Sequence, residues 1–424
     1  MSGHEERFVR SMGLVQTTAS GVAIIIGAGI FVLLGPAAEK AGGQVWISFL
    51  AAAALCALTA FSYMELSSMF PRAGSEHEFA RQIMPEAPSF AVGWSMASAL
   101  VVASATVALG FARYLDEFVD VDNRAVGVAV VALAAWVSSR GMADASKVVV
   151  ALAAVQVAGL LVVVVLGAPR IGDNSLVDGP GVGGVVSGAA LVFFAFIGFD
   201  EVITLSEETR DPRRTIPRAL FLALTISAVV YAAVAIVSVS VLGSDRLARS
   251  TRPIADVATE AAGDGMGRVI TSLALVSTFS TAILALTAGA RMVYSLAGTG
   301  LLPARFAEVR DERTPFVALC AVSLAGLALV IVGNLTTLAE ATDALVFLMF
   351  LVTNLVVIVL RIRRRDVDRP FRIPGAVASV PVLPVLGFVV TLLLAGRLHL
   401  DSLTVAAAIV AAGYVVGLVG SRRR

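Results

Sequence analysis

Long apolar stretches separated by short polar connections dominate this chain, and they exceed what a soluble core needs. From Val148 to Leu166 only Gln156 interrupts the apolar run among polar side chains, enough residues to cross a bilayer. Read this way, the pattern predicts an all-α polytopic membrane protein of about twelve helices. The expected spans are 14–38, 43–69, 89–112, 125–139, 146–168, 184–206, 219–242, 266–298, 315–333, 341–361, 379–396 and 403–420. The span over 125–139 reads short and that over 266–298 long.

Two spans carry breakers in their interior. The first holds Gly27-Ala28-Gly29-Ile30-Phe31, and the sixth holds Phe193-Phe194-Ala195-Phe196-Ile197-Gly198-Phe199-Asp200. Glycine is unfavourable inside a helix, and broken backbone within a bilayer survives only where it lines a cavity. Two interrupted helices at corresponding places in two halves of a chain point to a transporter's substrate site. Spans one to five (14–168) and six to ten (184–361) each open with the interrupted helix. Five is odd, so the second unit crosses the membrane in the opposite sense, an inverted repeat by topology. The last two spans (379–420) form an extra pair. A single permease domain over 1–424 is expected.

Composition narrows the class. The chain is 58% hydrophobic and 15% charged, with a net charge of +1, which offers nothing to nucleic acid. Most of its 32 Lys and Arg residues fall on one side, among them Arg210, Arg213, Arg214, Arg218, Arg361, Arg363, Arg364, Arg365, Arg369 and Arg372, with Arg422 to Arg424 at the end. The positive-inside rule then puts both termini in the cytoplasm of a cell-membrane protein. Residues 1–11 are polar and no cleaved signal peptide is expected. Cys56 and Cys320 both lie in apolar segments and read as small buried hydrophobes. The connection 243–265 reads as a lid or as a solvated loop.

The breaks supply chemistry without side chains. A half-helix that begins near Gly27 to Gly29 presents free N–H groups to a carboxylate. The half-helix before it ends in free carbonyls, from about Ile24 to Ile26, that suit an ammonium. Residues 194 to 198 offer the same pair of ends, so backbone alone can grip an α-amino acid. The competing reading is that Gly27 and Gly29 only permit close helix packing.

These residues also carry a resemblance. The chain resembles an amino acid permease of the amino acid–polyamine–organocation superfamily, near its cationic amino acid transporter branch. The resemblance runs from Gly27-Ala28-Gly29-Ile30-Phe31 through Tyr63, Glu65, Pro71, Arg72 and Gly74 to the sixth-span block. That block is followed by Glu207-Glu208-Thr209-Arg210-Asp211-Pro212 and Ile216-Pro217-Arg218. Arg291, Gly300-Leu301-Leu302-Pro303 and Arg369-Pro370-Phe371-Arg372-Ile373-Pro374-Gly375 extend it. It implies a five-plus-five inverted repeat with two extra helices, working by alternating access. It implies that Gly27, Ala28 and Gly29 hold a substrate carboxylate. The carbonyls of Ile25, Phe194, Ala195 and Ile197, beside Gly198, take the ammonium. The Phe194 ring closes over the substrate, while Phe193, Phe196 and Phe199 pack. Where several relatives carry a proton-coupling lysine, the alignment puts Gln156. Lys147 lies nine residues earlier, about 13 Å along the helix, and reads as a charge near the inner face.

Other polar groups remain candidates for coupling or gating. Asp200 and Glu201 follow the second break and read as proton carriers, as contacts for a cationic side chain, or as hydrated vestibule groups. Glu65, Arg72, Glu207 and Glu208 suggest ion pairs at the inner ends of helices. Arg291 reads as an inner anchor. Ser277, Thr278, Ser280 and Thr281 cluster as hydroxyls that suit sodium or hold helices together. No cofactor is expected beyond a coupling H+ or Na+, and the expected partners are an amino acid and the lipid bilayer, with a monomer compatible. The substrate reads as neutral before cationic, with a polyamine as the alternative. A non-transporting amino acid receptor is the reading from another class. His4, His77 and His399 lie apart, with no metal spacing and no nucleophile–base pair, so no enzyme is expected.

Overall fold

The computed structural model describes residues 12–70, 76–140, 145–204, 209–309, 315–364, 367–377 and 380–422. Helix dominates it, and its β structure among the described residues is one two-stranded ribbon, Ala376–Val377 with Val380–Pro381, plus a single bridge from Met12 to Thr209. Seven helices are long and apolar enough to cross a membrane, and five shorter apolar helices accompany them. Val165, Leu324, Val332 and Leu393 project outward, each more than 60% exposed. Such an apolar exterior is unfavourable in water and neutral in lipid.

The first span is two helices, Leu14–Ile25 and Gly29–Ala41, separated at Ile26 to Ala28. The sixth is Val182–Val192, a tight turn over Phe193–Phe196, and a short helix Glu201–Thr204. Gly198 between them has φ +101°, a conformation open to glycine and strained for other residues. Other spans keep their expected places, some with longer ends and some, such as Phe316–Val332 and Val382–Ala395, with shorter ones. The helix expected over 219–242 starts at Pro212, where a proline that lacks an N–H suits a first turn. That over 341–361 runs Leu335–Arg363, capped by the Asn334 side chain, which accepts from Thr337 N at 2.9 Å.

The bundle has two chemically distinct ends. At the arginine-rich end, Glu65 is buried and accepts from Arg361 Nε at 2.7 Å, from a second nitrogen of the same guanidinium, and from Ile373 N at 2.9 Å. Arg369 Nε lies 3.3 Å from the same carboxylate. Glu65 therefore binds the last turn of Leu335–Arg363 and the segment after it; Arg72, Glu207 and Glu208 lie outside the described residues. The short helix Glu76–Arg81 packs against Glu86–Leu115 and Leu335–Arg363.

At the opposite end, 243–265 folds into two helices, Ser244–Arg249 and Pro253–Ala262, laid across Gly29–Ala41. A Cβ on Gly35 would come within 3.0 Å of Ser250 O and 3.1 Å of Leu247 O. Glu260 bridges Arg170 at 3.4 Å and Arg246 at 3.2 Å, which ties these helices to the connection after the fifth span. Gly43 N donates to Asp178 O at 2.7 Å, and Trp46 Nε1 donates to Leu176 O at 3.1 Å. Cys56 is buried, but Cys320 is exposed on the apolar helix Phe316–Val332, contrary to its expected burial.

Candidate functional site

The two breaks meet. A Cβ built on Gly29 would lie 2.5 Å from Ala195 Cα, so the start of one half-helix rests directly on the backbone of the other break. Gly29 thus serves close packing, and that packing is what brings both sets of backbone ends to one place.

Tyr231 fixes the junction from the helix Pro212–Leu242. Its hydroxyl points at Ile25 O at 2.9 Å and Ala195 O at 3.1 Å, sharing one hydrogen between the last carbonyls of the two breaks. Ile25 O also accepts from Gly27 N at 3.0 Å, so both its lone pairs are engaged. An ammonium at Ile25 O has to displace one of these donors, whereas Ala195 O keeps a lone pair free of Tyr231. Ala28 N, one of the expected carboxylate donors, points at Thr281 Oγ1 at 3.3 Å, and Thr281 Oγ1 donates on to Ser277 O at 2.9 Å. A side-chain oxygen thus occupies the direction in which a carboxylate oxygen is expected.

A cavity of about 1210 Å³ opens on these groups. Ile25, Gly27, Ala28, Gly29, Phe194, Ala195, Ile197 and Gly198 all line it, joined by Gln156, Glu201, Ser280 and Thr281. From the breaks it continues past Arg291 to Met69, Phe70 and His77 at the arginine-rich end. Leu100, Ala103, Leu152, Ala153, Leu284 and Ala285 add small or aliphatic side chains to its walls.

Asp200 is not part of this lining. Its charge acts on Glu76, in the short helix Glu76–Arg81. Glu76 accepts from Tyr63 Oη at 3.1 Å, and burial, reinforced by Asp200, pushes its carboxyl up to about 7. Lys147 belongs to the helix Ala145–Gly167, and its side chain lies outside the described residues. Among the aromatic residues of the second break, Phe194 reaches the cavity. Phe193 packs on Phe347 at 4.8 Å between ring centres, Phe196 on Tyr231 at 5.2 Å and Phe199 on Phe350 at 5.5 Å. Thr278 and Ser280 return their hydroxyl hydrogens to their own helix, at Ala274 O and Ser277 O. Their oxygens can still accept or coordinate.

Among the described residues no cluster of His, Cys, Asp or Glu could hold a metal ion. The geometry is that of a binding chamber made of helix ends. A family model described as amino acid permease matches residues 12–417. The chain belongs to the amino acid permease family. This permease is 30% identical over 402 residues to the methylthioribose transporter of Bacillus subtilis, covering 89% of this chain and 86% of that one. It is 28% identical over 414 residues to the branched-chain amino acid permease BcaP of the same organism, covering 92% and 88%. It is also 27% identical over 383 residues to the vacuolar cationic amino acid transporter 4 of Arabidopsis thaliana, covering 84% and 64%. The permease is a multi-pass membrane protein of a transporter family, not an enzyme.

Proposed function

We propose that this permease moves neutral L-amino acids across the cell membrane by alternating access. The observation that carries this reading is the convergence of both breaks on one chamber, with N–H groups and carbonyls at its closed end and aliphatic walls around it. Gly27, Ala28 and Gly29 receive the carboxylate, which takes over the Ala28 N–H from Thr281. Ala195 and Ile197 receive the ammonium, and the side chain lies toward Leu100, Ala103 and Ala153. Phe194 covers the substrate.

In this reading both termini and the arginine-rich end are cytoplasmic, following the positive-inside rule. The chamber then faces inward, and the helices of 244–262 seal the outer side. Twelve crossings arranged as two inverted units of five with an added pair give each break the same place in its own unit. Gln156 lines the chamber where a proton-carrying lysine would stand, and an amide does not titrate in the physiological range. Transport therefore depends weakly on protons at that position. Sodium at the Ser280 and Thr281 hydroxyls, or exchange of one amino acid for another, is the alternative drive.

A second reading has one observation in its favour. Glu201 lines the same chamber and gives a cationic amino acid or polyamine an anionic contact. Thermal-shift screening of the purified full chain separates the two. Stabilisation by leucine, valine or alanine supports the neutral reading. Stabilisation by arginine or putrescine alone replaces it.

A further inference from the structure

Lys40, at the far end of the half-helix that begins at the first break, belongs to a buried side-chain cluster remote from the chamber. Glu340, in the first turns of Leu335–Arg363, is 1% exposed. Its carboxylate accepts from Lys40 Nζ at 2.9 Å, from His399 N at 2.9 Å and from Ser402 Oγ at 3.1 Å, and His399 Nδ1 lies 2.8 Å away. Lys40 stands in the last turn of Gly29–Ala41, whose first residue, Gly29, lines the chamber. His399 and Ser402 belong to the connection and first turn of the final helix. One carboxylate therefore joins the half-helix at the first break to two elements outside it.

We infer that Glu340 is a positioning residue for transport, acting through Lys40 as a latch that holds the half-helix Gly29–Ala41 in its outer-closed position. This rests on the alternating-access reading. The half-helix is thirteen residues long and is seated by contacts at both ends, Ala195 at one and Glu340 at the other. Outward opening carries Lys40 away from Glu340 and leaves a buried carboxylate short of its cation, which is strongly unfavourable. Of its other partners, His399 N and Ser402 Oγ are neutral donors, and His399 Nδ1 supplies a cation only when protonated. Asp343, one turn deeper on the same helix, is fully buried, and its oxygens meet no donor among the described residues. The latch thus opposes opening until substrate contacts at the far end of the same half-helix favour it.

Hydrogen–deuterium exchange of the purified full chain, with no substrate present, tests the latch independently of what the chamber binds. In Lys40→Met, and in Glu340→Gln, amides of 29–41 and 244–262 are expected to exchange about tenfold faster, with 86–115 unchanged. Lys40→Arg keeps a cation at Glu340 and is expected to match the native protein. Unchanged exchange in 29–41 of Lys40→Met overturns the inference. So does equal acceleration in 86–115, which marks a general loss of packing. Acceleration in Lys40→Arg as large as in Lys40→Met overturns the role of charge.

Discussion

Gly29 lies against Ala195 so closely that a Cβ on the glycine would stand 2.5 Å from the alanine Cα. No real Cβ contact is that short, and the obstacle is backbone, which cannot rotate aside. The two breaks are therefore built as one unit. Gly29→Ala should separate them and weaken substrate binding by at least about tenfold while the protein stays monodisperse. Gly27→Ala meets only Thr281 Oγ1, at 3.2 Å, and should cost less. Titration calorimetry of both variants checks the order. Equal, native-like affinities would mean that the junction does not shape the site.

Tyr231→Phe removes the hydroxyl that serves Ile25 O and Ala195 O. Leaving buried acceptors without their donor costs roughly 1–3 kcal/mol. A fall in Tm of several degrees is expected, together with weaker substrate binding, because the same carbonyls face the chamber. A drop in Tm with unchanged affinity would confine Tyr231 to stability.

Breaking the buried pair at the arginine-rich end should be more severe. Arg361→Leu leaves Glu65 with Arg369 and the Ile373 amide, and losing one partner of a buried ion pair costs roughly 3–5 kcal/mol. The expected result is a large loss of Tm or of folded yield. Glu65→Gln with Arg361→Leu should recover part of it, since the uncompensated charge is gone. A double variant no better than the single one would contradict the assigned pairing.

Glu76 gives the fold a pH dependence. Its carboxyl is pushed from the ordinary 4.5 up to about 7, first by burial and then by the Asp200 charge. Between those values the folded protein holds a proton that the unfolded chain has released, so stability falls as pH rises through this window. Below it the contribution is fully present. Tm measured from pH 4.5 to 8 should decline, and Glu76→Gln should decline less. An identical slope in the variant would assign the dependence to other groups.

The chain announces some of this architecture and conceals the rest for physical reasons. Gly27, Gly29 and Gly198 stand out because breakers inside apolar runs are conspicuous, and all three line the chamber. Gln156 is singled out by the alignment with the family the chain resembles, and it also lines the chamber. Tyr231 gave no signal: a tyrosine in an apolar helix reads as packing, and its partners Ile25 and Ala195 are 206 and 36 residues away. Glu65 was visible as a charge near a helix end, but its partner Arg361 is 296 residues distant and could not be told from other arginines. The helices of 244–262 read as a polar connection because short helices at a surface bury only part of one face. Asp200 is singled out for following the second break, yet it is not among the residues that line the chamber.

The central claim is that two helix breaks form one chamber that carries an amino acid across the membrane. Its most direct test is counterflow of radiolabelled leucine into proteoliposomes loaded with unlabelled leucine, comparing the native chain with Gly29→Ala. The account predicts accumulation by the native protein and near-background signal in the folded variant. Counterflow undiminished in Gly29→Ala, or absent from native protein for every neutral amino acid tried, would contradict it.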